Sequence, residues 1–287
     1  MREGRSSTTA EMVAFFRGAA SVHRSPFGGM RDAYARALVP KWLSLPLRAV
    51  ERAPALLPAA RMLSVGLLDH VSLRTAAIDE ALRTALAAGA RQLVILGAGL
   101  DARAYRLPEL AGVSVFEVDH PATQAAKRER LAEAGDGNAR VVFVGVDFER
   151  DALEERLASA GHDAAIATAW IWEGVTPYLE RGAIEATLGV IASRSAPSST
   201  LLVTYLTPEL ADVPVLPKPL VRAVFSALGE PIKATFEPSD IEALLAAHGF
   251  SVYADTSSDD WAVRYLQGAR SRVLVSERLA AATRRPS

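Results

Sequence analysis

The chain contains no cysteine. That single absence excludes disulfides, thiolate metal ligation and a cysteine nucleophile, and it removes redox chemistry as a guide to compartment. A prevailing sign of charge is also missing: 32 basic residues stand against 33 acidic ones, for a formal net charge of -1. Without a single-sign block, neither a nucleic-acid footprint nor a polybasic membrane face is expected. The apolar runs are short, and the opening MREGRSSTTAEMVAFF has no apolar core of signal-peptide length. The default expectation is cytoplasmic, with no membrane and no nucleic acid as partner.

What is present is apolar material: half of the 287 residues are hydrophobic, enough for one large α/β domain with an appendage. Residues 1–70 are rich in Ala, Leu, Arg and Pro, with helical periodicity broken at Pro26, Pro40, Pro46, Pro54 and Pro58. Several short helices forming a cap are expected there. From Val71 the texture changes, and residues 71–287 are expected to form the core. VSLRTAAIDEALRTALAAGA reads as a helix ending at Gly89, followed by RQLVILGAG, an apolar strand closed by glycines. The alternation continues through the strands VSVFEVD, ARVVFVGVD, AAIATAWIWEG and STLLVTYL, each separated from the next by a helical stretch. That rhythm predicts a parallel sheet wrapped on both faces, with ligands at the carboxyl ends of its strands. The proline-rich stretch 207–240 interrupts it and is expected to form a lid, a loop and helix over the site. The tail reads as a helix, an edge-region strand SVYADTS and a terminal helix over WAVRYLQGARSRVLVSERLAA.

The chemistry concentrates at the strand ends. Gly97-Ala98-Gly99-Leu100-Asp101 follows the first strand, and glycines there allow a sharp turn and close approach of a ligand. The second strand ends in Asp119, about 20 residues on, the spacing at which a carboxylate receives a ribose hydroxyl. Glu117 or Asp119 could instead cap the helix that opens at Pro121. The glycine turn also satisfies a relaxed nicotinamide fingerprint. A pyrophosphate at that turn would face Asp101, a like charge, whereas a cofactor carrying a sulfonium and an ammonium finds carboxylates favourable. With Asp147-Phe148 ending the third strand and Trp172-Glu173-Gly174 the fourth, carboxylates at 101, 119, 147 and 173 outline a site for a cationic, hydroxyl-bearing cofactor.

The segments RTAAID, LVILGAGLDARAYRL, VFEVDHP, VDFE and WEGVTPYL, taken in order, closely resemble the leucine carboxyl methyltransferase family, including its bacterial branch of S-adenosylmethionine-dependent and polyketide O-methyltransferases. The resemblance runs from about Thr9 to Phe250. It implies a Rossmann-like class I methyltransferase: a seven-stranded, mostly parallel sheet with helices on both faces and an N-terminal helical cap. It also implies that Arg74 pairs with the carboxylate of the methionine part of S-adenosylmethionine, a match that guanidinium geometry suits. Gly97, Ala98 and Gly99 would make the cofactor turn, Asp119 would take the ribose with His120 beside it, and Asp147 with Phe148 would flank the adenine. Glu173 would sit near the methionine amino end, and Tyr178 would face the substrate. The chain departs from the family pattern at Ala102, Phe148 and Ala33, none of which is a charged ligand.

Methyl transfer to oxygen requires neither a metal nor a covalent intermediate, so no metal is expected. A carboxylate acceptor is already ionised at neutral pH, while a phenol or alcohol calls for a base. His70 lies four residues before Arg74 on one helical face and could look into the cleft. His23, in the cap, is a candidate for substrate contact, and His248 looks like a capping residue. Three readings stay open: an O-methyltransferase acting on a carboxylate or hydroxyl of a small metabolite, a protein C-terminal carboxyl methyltransferase, and a NAD-dependent dehydrogenase or other nucleotide-binding module. The apolar cap with Phe15, Phe16, Phe27 and Trp42 suggests an enclosed pocket, which favours the first, in secondary metabolism and as a monomer or homodimer.

Overall fold

The structure, a computed structural model, describes residues 8–22, 25–27, 31–132, 134, 139–147, 151–209, 231–267, 270, 271, 273 and 275–286. Its centre is a seven-stranded sheet: β1 (Gln92–Leu96), β2 (Ser114–Asp119), β3 (Arg140–Gly145), β4 (Thr168–Trp172), β5 (Thr200–Leu206), β6 (Phe250–Ser257) and β7 (Glu277–Arg284). The order across the sheet is β3-β2-β1-β4-β5-β7-β6. The first five strands are mutually parallel, and β7 runs antiparallel to both β5 and β6.

This registration decides where a ligand can sit. Leu96 pairs with both Val118 and Trp172, and Asp119 pairs with Gly145. The carboxyl ends of β1, β2, β3 and β4 therefore lie side by side, and the chain reverses direction across the sheet between β1 and β4, where open α/β sheets bind ligands. Alternation along β1 fills both faces. Leu93 and Ile95 join one hydrophobic core, while Val94 and Leu96 join the other with Trp170 and Trp172.

Before the sheet come α1 (Thr8–Ala20), α2 (Ala35–Leu38), α3 (Lys41–Arg52), α4 (Leu57–Leu63) and the long α5 (Leu67–Ala87). Leu43 and Leu47 of α3 share one core with Leu73 and Ile78 of α5 and with Leu93 of β1, so the cap is continuous with the sheet. The remaining helices are α6 (Arg103–Arg106), α7 (Pro121–Leu131), α8 (Leu153–Ser159), α9 (Arg181–Ser193), α10 (Pro238–Ala247) and α11 (Ser258–Tyr265). Among the described residues no single helix is long and apolar enough to cross a membrane. Pro54–Leu63 and Leu67–Ala87 together are long and apolar enough but are bent by 105°, and the α5 part is largely buried.

Two expectations need correction. The alanine-rich tail expected as a terminal helix is α11 followed by strand β7. Its register pairs Ala280, Ala281 and Ala282 with Val203, Leu202 and Leu201 of β5, and on the other side with Asp255, Ala254 and Val252 of β6. Alanine favours a helix in isolation, but a slot with unpaired strands on both sides satisfies every backbone group of a strand there, and small side chains fit its crowded faces. Trp42, expected in an enclosed apolar wall, is 58% exposed, while Phe16 and Phe27 are buried in the core that also holds Leu93 of β1. Of the lid expected over 207–240, residues 210–230 lie outside the described residues. On its return the backbone N–H groups of Lys233 and Ala234 donate to the Pro177 carbonyl, which ties the end of this stretch to the turn after β4.

Candidate functional site

The glycine turn leaves β1 with Gly97 at φ +66° and Gly99 at φ +49°, both in the left-handed region that favours glycine. A Cβ on Gly97 would meet Val175 Cγ2 at 2.7 Å, so close packing against the loop after β4 adds to the conformational requirement. On the other side, a Cβ on Gly99 would stand 3.4 Å from the Cβ of Ala10 in α1. The cap thus sits directly over the turn, fastened by Arg17, which donates to the Leu100 carbonyl at 2.6 Å and to Asp32 at 2.9 Å.

Asp119, at the end of β2, accepts from the Gly99 N–H through one oxygen and from the His120 N–H at 2.6 Å through the other. Burial raises its pKa above the ordinary aspartate value despite these bonds. The Thr123 side chain is a third donor to this carboxylate, and three donors on its four acceptor positions leave one for a hydroxyl of a ligand. Neither Glu117 nor Asp119 caps α7. That role belongs to His120, whose Nδ1 accepts from the Ala122 N–H at 3.2 Å. Glu117 forms a buried ion pair with Lys127 at 2.6 Å. Asp147 stands just beyond β3, beside Asp119: the Val146 N–H donates to the Asp119 carbonyl, and Asp147 donates its N–H to Asp151. Phe148 and His23 lie outside the described residues.

The end of β4 brings together partners from α5 and from the stretch after the glycine turn. Glu173 accepts from Arg74 Nε at 2.8 Å through one oxygen and from Arg103 Nη1 at 2.7 Å through the other. Arg103 also donates to Asp79 at 2.8 Å and to both Asp101 oxygens, through its backbone N–H and its guanidinium. Arg106 completes Asp79 at 2.6 Å. Arg74 reaches a second carboxylate, Glu277 on β7, at 2.9 Å, and His70 Nε2 lies 2.6 Å from the same Glu277 oxygen. Burial opposes charge throughout this cluster, but the counter-charges win. Burial would raise Asp101, yet Arg103, with Arg17 and Lys127 nearby, holds it at about 2. Burial would likewise raise Glu277, yet Arg74 and His70 hold it at about 2. The same balance keeps Glu173 below its ordinary value and Arg74 above its own.

The rim is therefore not a row of bare carboxylates. Asp101 answers Arg103 and supports Glu173 from behind, and its charge no longer separates a sulfonium from a phosphate. Arg103, Asp79, Arg106 and Glu277 carry parts of the site that the sequence reading left without a role. The first three stand inside RTAAID and LVILGAGLDARAYRL, which carry the family resemblance, but nothing in those segments signals that they interlock. Glu277 had no such signal. Tyr178, half-buried, ends the turn Thr176–Tyr178, next to Pro177, to which the end of the 207–240 stretch is bonded. His248 caps α10 and its Nδ1 lies 2.9 Å from the Leu244 carbonyl. A groove of about 610 Å³ lies elsewhere, between α5, β6 and α11, lined by Ala77, Tyr253, Trp261 and Tyr265 and by none of the rim residues.

Comparisons with known proteins agree with this architecture. Two solved structures, a "putative methyltransferase" from Thermobifida fusca and a DUF574 family protein from Streptomyces avermitilis, share the fold. The first has a TM-score of 0.57 at 17% identity, covering 99% of this chain and 97% of its own. The second has a TM-score of 0.60 at 15% identity, covering 98% and 99%. A Streptomyces coelicolor protein named "Putative S-adenosyl-L-methionine-dependent methyltransferase" is 41% identical over 147 residues, 51% of this chain and 52% of that protein. One of the same description from Mycolicibacterium gilvum is 37% identical over 217 residues, 71% of this chain and 67% of that protein. The chain spans about half to three-fifths of the length of the first relatives it matches. The sequence profile described as "Leucine carboxyl methyltransferase" matches residues 10–192, well over half of the chain. The chain belongs to the leucine carboxyl methyltransferase family.

Proposed function

We propose that this chain binds S-adenosylmethionine along the carboxyl ends of β1, β2 and β4 and transfers its methyl group to an oxygen, carboxylate or hydroxyl, of a small metabolite. The observation that carries the reading is the placement of two complementary recognition groups around one glycine turn. Asp119 stands on one side, bonded to the turn itself, and the Arg74–Glu173 pair on the other. Asp119 would accept from a ribose hydroxyl. The recorded bonds of Arg74 use Nε and Nη1, so Nη2, without a hydrogen bond among the described residues, is left for a carboxylate, and Glu173 beside it suits an ammonium. Bound there, the cofactor would supply an activated methyl group on a positively charged sulfur.

The turn also argues against a dinucleotide. It opens into α6, a helix of only four residues, whose dipole offers a diphosphate little stabilisation. The family description supports oxygen as the acceptor, since a carboxyl group is what its name records as methylated. Helix α1, seated on Gly99, restricts approach from that side and favours a small acceptor over a protein terminus. The chain's own task is then to orient the acceptor and exclude water. A carboxylate acceptor would require no base, while for a hydroxyl acceptor the candidates are Tyr178, on the loop after β4, and His23 from the cap.

Calorimetry with S-adenosylmethionine and with NAD tests the cofactor: binding of NAD alone would reject the proposal. Mass spectrometry for a 14-Da gain, the mass of a methyl group replacing a proton, across aromatic acids, phenols and a peptide with a free terminus then identifies the acceptor class. Gain on the peptide alone would favour a protein-carboxyl methyltransferase.

A further inference from the structure

Glu277 lies on β7, outside the segment 10–192 that the family profile matches, yet it contacts the site through Arg74. We propose that Glu277 is a positioning residue: it fixes the guanidinium of Arg74 in the orientation that receives the carboxylate of the cofactor. The inference rests on the reading of Arg74 given above.

The geometry has three parts. First, Arg74 has two carboxylate partners, and one of them, Glu173, is shared with Arg103. Glu173 alone, bonded through Nε, would leave the guanidinium free to swing about that bond. The second bond from Nη1 to Glu277 fixes its plane and leaves Nη2 for a ligand. Second, Glu277 is itself held. It is 2% exposed, its Oε2 lies 2.6 Å from His70 Nε2, and it also accepts from the Thr204 hydroxyl. His70 and Arg74 stand four residues apart on one face of α5, so both reach the same oxygen. Third, the network closes on the loop carrying Glu173. Thr204 Oγ1 accepts from the Gly174 N–H at 2.9 Å, and the Thr204 carbonyl accepts from Thr176 Oγ1 at 2.7 Å. Gly174 has φ +65°, and a Cβ there would come 3.5 Å from Arg74 Nη1. Arg74, Glu173, Gly174, Thr204 and Glu277 therefore form one closed ring of hydrogen bonds and backbone that spans α5, the loop after β4, β5 and β7.

The test compares two ligands on the full chain by calorimetry: S-adenosylmethionine, and 5′-methylthioadenosine, which keeps the adenosine and the sulfur but lacks the aminocarboxylate. Glu277→Gln should weaken S-adenosylmethionine about tenfold, the scale of one charge-assisted hydrogen bond, and leave methylthioadenosine unchanged. On an Arg74→Ala background the same substitution should add no further loss. Equal weakening of both ligands, unchanged S-adenosylmethionine affinity, or full additivity with Arg74→Ala would overturn the inference. If Glu277→Gln does not fold, Thr204→Val, which keeps the charge and removes the hydroxyl holding it, is read by the same selectivity between ligands, with equal losses again overturning it. Failure of the unaltered chain to bind S-adenosylmethionine would instead overturn the functional reading, and the inference with it.

Discussion

Arg103→Met removes the guanidinium on which three carboxylates converge, two of them buried and the third, Glu173, partly so. Arg103 is 2% exposed and contacts Asp79, Asp101 and Glu173, with side-chain exposures of 6%, 8% and 14%. Methionine approximates the aliphatic part of the side chain, so the loss is chiefly electrostatic. Asp79 retains Arg106 and Glu173 retains Arg74, whereas Asp101 loses the guanidinium that closes on it. Removing one partner of a buried ion pair costs about 3–5 kcal/mol, because the remaining charge is left in a poorly solvating site. For a chain of this size the unfolding entropy is roughly 0.6 kcal/mol per degree, so the midpoint should fall by about 5–8 °C.

The pH dependence sharpens the test. In the unaltered protein Asp101 titrates at about 2, below its ordinary 3.8, so its stabilisation is present above pH 3.8 and is lost as the pH falls toward 2. Without Arg103, burial dominates and pushes the same carboxyl upward, so the variant is penalised at neutral pH and relieved by protonation. The gap between the two melting temperatures should therefore be widest near neutrality and narrow below about pH 4. Scanning calorimetry at a fixed scan rate from pH 3.5 to 7.5 measures it. A deficit under 1 °C at pH 7, or one that does not shrink with acid, would refute the assignment of Arg103 as the charge that keeps this cluster ionised.

Asp119→Ala should weaken S-adenosylmethionine at least about tenfold by calorimetry while the circular dichroism spectrum stays native, since it removes one hydrogen-bonding carboxylate from the strand end. Arg74→Ala should do the same, and unchanged affinity in both variants would remove the site assignment. Gly97→Ala meets both a positive φ and Val175, and should cost about 1–3 kcal/mol in denaturant unfolding. Adding Val175→Ala should recover only the part due to the clash, and full recovery would show that φ contributes nothing. Lys127→Met strands Glu117, whose Oε1 has no hydrogen-bond partner among the described residues, and should cost about 3–5 kcal/mol. The pair Glu117→Met with Lys127→Met should restore most of that loss, and a double variant no better than the single would contradict it.

The strand-and-helix alternation, the glycine turn, Asp119 at its distance from that turn and the helix bearing His70 and Arg74 were all legible in the residues, because each depends on local periodicity or short spacing. The quoted segments were sufficient to point to the family. The fate of the charges was not legible. Whether Asp101 faces a ligand or a guanidinium depends on how RTAAID and LVILGAGLDARAYRL pack together, and a list of acidic residues contains no such contact. The tail differs from its expectation for a related reason: SERLAA carries an alanine-rich local preference for helix, which the open slot between β5 and β6 outweighs. That insertion brings Glu277 against Arg74, 203 residues earlier in the chain. Local pattern thus determined which elements form and which strand ends carry polar groups. Only the tertiary structure decided which charges neutralise one another, because Coulomb and hydrogen-bond partners are set by distance through space, and a strand's place in the sheet is set by the edges left unpaired around it.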